Sequence, residues 1–191
     1  MSTGRLEAFT DAVIAIVITI LVLELEVPNE PDLAALGDVV PVFLTYVLSF
    51  VYLGIYWSNH HHMMVLTQRV NGRILWANLH LLFWLSLVPF TTAWMGETDF
   101  AESPTAVYGA DLLLAAIAYF ILQTAIIAEE GPDSGLRAAL GRDLKGKVSP
   151  LLYLAAIPLA FVSPWIALGV YVFVALMWLV PDRRIESAVR R

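Results

Sequence analysis

The feature that most constrains this chain is a succession of long apolar runs, each closed by a short charged stretch. Runs of about 18 or more apolar residues match the hydrocarbon thickness of a bilayer, where a helix satisfies every backbone group internally. Of the residues, 59% are hydrophobic and only 15% charged, and mean hydropathy is +0.74. An average soluble domain carries roughly 25% charged residues, and a soluble fold of 191 residues has too little interior to hide this much apolar side chain. The lipid bilayer is therefore the solvent. The fold class is an all-α integral membrane protein, one domain over residues 1–191, without internal repeat, low-complexity tract or separate soluble domain.

Six spans fit the pattern: Leu6 to Val27, Val39 to Val65, Gly72 to Met95, Thr105 to Ala128, Val148 to Val162 and Trp165 to Val180. Six crossings place both termini on one side, and all 11 Lys and Arg then fall there: Arg5, Arg69, Arg73, Arg137, Arg142, Lys145, Lys147, Arg183, Arg184, Arg190 and Arg191. By the positive-inside rule that side is cytoplasmic. The opposite loops hold Glu24, Glu26, Glu30, Asp32, Asp38, Glu97, Asp99 and Glu102 and no basic residue. A miscounted helix would scramble this partition. The fifth and sixth spans are short, and Pro158 and Pro164 favour a tight hairpin there over one long helix.

The net charge of -6 leaves no basic face for nucleic acid, and the absence of cysteine removes disulfides, thiolate metal sites and cysteine nucleophiles. A secretory signal at the N-terminus fits poorly. Glu7 and Asp11 interrupt a basic leader, and Leu-Glu-Leu-Glu-Val-Pro offers no small-residue cleavage site.

The first apolar segment carries the chemistry. It is uncharged only from Ala12 to Leu23, which is roughly 18 Å of helix against a hydrocarbon core of about 30 Å. Polar residues at its ends must then face protein or water rather than lipid, which makes Asp11 a functional candidate. Arg5, Phe9 and Ile16, and then Thr19 or Ile20 and Leu23, recur at helical spacing and define one face. Taken alone, such a stripe reads as packing or lipid contact.

The stretch Arg5-Leu6-Glu7-Ala8-Phe9-Thr10-Asp11, with Thr19 and then Leu23-Glu24-Leu25-Glu26-Val27-Pro28, resembles the signature of the transmembrane protein 175 family. These are lysosomal-type potassium channels and their prokaryotic relatives. The family's hallmark is Arg, three residues, then Phe-Ser-Asp; Thr10 replaces the Ser and keeps its hydroxyl. Gly54-Ile55-Tyr56-Trp57-Ser58-Asn59-His60-His61, Leu75-Trp76-Ala77-Asn78-Leu79 and Ser86-Leu87-Val88-Pro89-Phe90-Thr91 extend the likeness through the first half of the chain.

The resemblance implies a potassium-selective channel, a homotetramer with the first helix of each subunit around a central pore, single-repeat in form and set in a prokaryotic plasma (inner) membrane. It implies passive conduction of K+ with no cofactor and no enzymatic activity. The sequence has no Thr-Val-Gly-Tyr-Gly filter, so another device selects. The family places an apolar constriction five residues past the motif Asp, here Ile16, with Ile20 and Leu23 as further rings outward. Such a ring dewets when narrow, and when wide passes the cation that sheds water most cheaply, which is potassium rather than sodium. Thr19 matches a position whose hydroxyl contributes to selectivity. Arg5, Phe9, Thr10 and Asp11 are implied to form a buried polar network at the pore helix, with Trp57 and one of the three histidines, His61 by preference, as partners from the second helix. The acidic outer loops would concentrate cations at an external mouth, or simply obey topology.

Other readings are weaker. His60, His61 and His62 are consecutive, so on a helix they point about 100° apart and cannot converge on one metal ion. Asp111 in the fourth span raises a secondary transporter or a proton-coupled or proton-permeable protein, although its nearness to the outer end suggests an interfacial position. No Gly-x-Ser-x-Gly elbow or pair of intramembrane aspartates supports an enzyme.

Overall fold

The structure, a computed structural model, describes residues 2–28, 30–132, 134–141 and 143–179. Among the described residues seven α-helices follow in order: α1 Thr3–Leu23, α2 Leu36–Val65, α3 Gly72–Glu97, α4 Glu102–Glu130, α5 Gly135–Leu140, α6 Leu144–Ala160 and α7 Pro164–Leu179. A 3-10 turn, Leu33–Ala35, leads into α2. The helices α1 to α4 are long and apolar enough to cross a membrane. The helix α6, at the position of the fifth expected span, has 17 residues, short of the roughly 20 that a span needs; α7, at the position of the sixth, runs to Leu179, where the described residues end. Val180, Arg142, Arg183, Arg184, Arg190 and Arg191 lie outside the described residues.

Several ends differ from the sequence reading, each for a local reason. The helix α1 stops at Leu23 rather than Val27, because the segment running into Pro28 is pushed toward extended backbone. Asp32 accepts from the amides of Ala34 and Ala35, starting the turn that lets α2 begin before Val39. Asp143 accepts from the Gly146 amide at 3.0 Å and starts α6 before Val148. Pro158 lies inside α6 without ending it, and Pro164 opens α7 as its first residue, where its missing amide costs nothing. The short α5 is too brief to show a hydrophobic period; Ser134 accepts from the Arg137 amide at its start.

The buried face of α1 is Leu6, Thr10, Ile14, Val17 and Leu21, spaced for one side of a helix and packed on α2 and α3. With parts of α2, α3 and α4 these residues form one apolar core. A second core joins α2 and α4 to the α6–α7 hairpin. In lipid, burying apolar surface does not drive helix association, so small residues and interhelical hydrogen bonds do more of the work. Gly96 lets α3 meet α2, since a Cβ there would lie 2.9 Å from the Val42 Cα. Gly109 makes room for Tyr171, whose ring Cζ would lie 2.8 Å from an added Cβ. Tyr153 donates to the Tyr52 hydroxyl at 3.2 Å, Tyr52 donates to the Tyr171 carbonyl at 2.6 Å, and Tyr171 donates to the Thr105 carbonyl at 3.1 Å. These bonds tie α2, α4, α6 and α7 together and leave α1 at the edge of the bundle.

Candidate functional site

Two sets of polar contacts fix α1. The first is buried. Asn78 of α3 donates through Nδ2 to the Thr10 hydroxyl at 2.8 Å, and its Oδ1 lies 2.9 Å from His60 Nε2 of α2. An amide oxygen only accepts, so His60 donates through Nε2. Thr10, Asn78 and His60 each have 0% exposure, and the link joins three helices through one amide side chain. His60 Nδ1 has no partner among the described residues.

The second set lies at the rim of the α1–α2 contact. The Trp57 indole donates to Asp11 Oδ1 at 3.0 Å, and His61 Nδ1 lies 2.7 Å from Glu7 Oε1. Glu7 and Asp11 are four residues apart on α1, and so are Trp57 and His61 on α2. Four residues is one helical turn, so two polar pairs meet as two rungs.

The sequence expects Arg5 and Asp11 in a buried network with Trp57 and His61. In the single chain the partners regroup: Asp11 meets Trp57, Glu7 takes His61, and Arg5 is exposed. Thr10 is the buried member, and it faces Asn78 and His60. The sequence reading did not single out His60, Asn78 or Glu7 for these parts. The matched i,i+4 spacing of Glu7 with Asp11 and of Trp57 with His61 is the signal that would have found the rungs. His60 and His61 point to different neighbours, as their succession on a helix requires.

The opposite face of α1 carries Arg5, Ala8, Phe9, Ala12, Ala15, Ile16, Thr19, Ile20 and Leu23, all exposed in the single chain. Ile16 is 58% and Leu23 79% exposed. The Thr19 hydroxyl donates to the Ile16 carbonyl of its own helix at 2.8 Å. An open groove adjoins this face near the C-terminal end of α1, lined by Ile20, Glu24, Ser86, Phe90, Trp94 and Glu97 among others.

Asp111 is buried within the bundle, at 5% exposure. Because α4 begins at Glu102, Asp111 sits about two and a half turns into the helix. Thr91 of α3 donates to its Oδ2 at 3.1 Å, while Oδ1 has no partner among the described residues.

A family model described as endosomal/lysosomal potassium channel TMEM175 matches residues 5–89. A protein of Chryseobacterium sp. (strain P1-3), named a potassium channel, is 52% identical over 190 residues, covering 100% of this chain and 99% of its own length. The chain belongs to the TMEM175 family. A crystal structure described as a lysosomal potassium-selective channel TMEM175 homolog from Chamaesiphon minutus superposes with a TM-score of 0.80 at 31% identity, covering 93% of this chain and 96% of that one. A Bos taurus protein named endosomal/lysosomal proton channel TMEM175 is 30% identical over 149 residues, which span 69% of this chain and 31% of that protein. The TMEM175 match at residues 5–89 contains α1, α2 and most of α3, and with them both sets of polar anchors.

Proposed function

We propose that the chain is one subunit of a potassium channel, a homotetramer in a prokaryotic plasma membrane that conducts K+ passively along α1 without a cofactor. The observation that carries this reading is the division of α1 into two faces. One face is locked to α2 and α3 through Leu6, Thr10, Ile14, Val17 and Leu21. The other bears Phe9, Ile16, Thr19, Ile20 and Leu23 and is left open by the other described residues. One helix cannot enclose a pore, so the open faces of several copies must meet, and cyclic symmetry suits a central axis. Lipid is a poor alternative occupant, because Arg5 and Thr19 share that face and polar groups in hydrocarbon are costly.

Ile16 forms the narrow apolar ring, with Ile20 and Leu23 above it, and the Thr19 hydroxyl lies one turn from the constriction. Potassium passes by losing part of its hydration, which sodium holds more tightly. The outer carboxylates Glu24 and Glu97, beside the groove between α1 and α3, raise the local cation concentration. Relatives named as potassium channels support the choice of ion. Proton permeation is the second reading, favoured by the relatives named as proton channels.

Ion flux through the purified protein in liposomes tests the proposal, with a potassium gradient, then a sodium gradient, against protein-free vesicles. Conductive flux that favours potassium is the expected result. Flux that requires a coupled second ion or a proton gradient would assign the chain to the transporters instead and turn attention to Asp111.

A further inference from the structure

Among the described residues, Asp111 is the only carboxyl side chain that the fold buries, at 5% exposure. It lies on α4, a helix long and apolar enough to cross a membrane, roughly 14 Å along the axis from Glu102. Thr91 of α3 donates to Oδ2 at 3.1 Å, and Oδ1 has no partner among the described residues. The surrounding elements bring hydroxyls rather than positive charge. The titratable groups that feel the charge of Asp111 are Tyr56 of α2 and Tyr108 of α4. Tyr171 of α7, edge-on to Tyr108, and Tyr153 of α6 stand beyond them.

An ionised carboxylate in this place would give up its hydration and recover a single hydroxyl bond, which is the costly case for a buried charge. A neutral carboxyl leaves only one polar group without a partner, a smaller penalty. We propose that Asp111 is a proton-binding site inside the helix bundle, holding a proton on Oδ1 where α3 meets α4. An alkali cation is the poorer occupant. It needs several oxygens in place of its hydration shell, and the Thr91 hydroxyl turns its hydrogen toward the carboxylate. The proton lets α3 pack on α4 without an unpaired charge, while α3 in turn holds α1 through Asn78. Because α1 packs on α2 and α3 and Asp111 faces the α3–α4 contact, the site stands apart from the conduction reading.

Infrared difference spectroscopy of the purified protein in liposomes, wild type minus Asp111→Asn at about pH 7, tests the proposal. The wild type should show the carbonyl band of a protonated carboxyl, lost in Asp111→Asn and unchanged when N-methylglucamine replaces potassium. Aspartate with an isotopically heavy side-chain carboxyl carbon should shift that band in the wild type, a readout that needs no substitution. The folded chain holds a proton that an unfolded, solvated aspartate has released by neutral pH, so stability should fall as pH rises. From about pH 7 to about pH 9 the melting temperature of the wild type should therefore drop by more than that of Asp111→Asn, which has no such proton to lose. The absence of a label-sensitive band, a band that survives in folded Asp111→Asn, or equal drops in melting temperature would each overturn the proposal. A band that appears only when potassium is withdrawn would overturn it too and make the occupant a metal cation.

Discussion

Replacing Asn78 by Ala removes the one side chain that joins α1, α2 and α3 through hydrogen bonds. The Thr10 hydroxyl and His60 Nε2 would both lose their partner at 0% exposure. An orphaned buried polar group costs roughly 1–3 kcal/mol in mutational series, while hydrogen bonds between membrane helices average about 0.6 kcal/mol. Two bonds at the low end and two orphans at the high end bracket the loss between about 1 and 6 kcal/mol, and room for water in the vacated space favours the lower half, near 2 kcal/mol. For a chain of this size, that is a fall of about 4–8 °C in the melting temperature, read in detergent by tryptophan fluorescence. The double variant with Thr10→Val should fall by less than the sum of the two single changes, since Thr10 and Asn78 share one bond. A melting temperature within about 1 °C of wild type, or strict additivity with Thr10→Val, would refute the network as an anchor of α1.

Ile16→Asn puts a polar side chain at the proposed constriction and should lower the preference for potassium over sodium, measured as the ratio of the two fluxes in liposomes. Unchanged selectivity with normal conduction would move the constriction elsewhere. Trp57→Phe removes the indole bond to Asp11 at a half-exposed position and should lower potassium flux while changing stability by about 0.5 kcal/mol or less. Gly109→Ala drives a methyl group into Tyr171 and should destabilise the α4–α7 contact by about 1–3 kcal/mol. Adding Tyr171→Phe, which removes the colliding hydroxyl, should recover part of that loss in the same melting assay.

The spans α1 to α4 were legible because each is a long apolar run closed by charge, and the two prolines near residue 160 marked the α6–α7 hairpin. Asp11 was singled out because lipid would not tolerate it alone, but its placement with Trp57 came from the family resemblance. Thr10, His60 and Asn78 were harder. Asn78 stands among apolar neighbours on α3, whereas Thr10 and His60 lie beside other polar residues, and only the crossing of three helices brings the three within 3 Å of one another. In the single chain Glu7 and Asp11 bond to α2, and Arg5 is exposed on the other face of α1.

The absence of cysteine from the chain makes one measurement decisive for the two-faced α1. Single cysteines at positions 14, 16, 17 and 20 can be reacted with a cationic methanethiosulfonate reagent while potassium flux is followed in liposomes. Modification at positions 16 and 20, on the open face, should block flux, whereas positions 14 and 17, packed on α2 and α3, should remain unreactive and conducting. Block at positions 14 and 17, with free flux after full modification at 16 and 20, would contradict a pore lined by this face of α1.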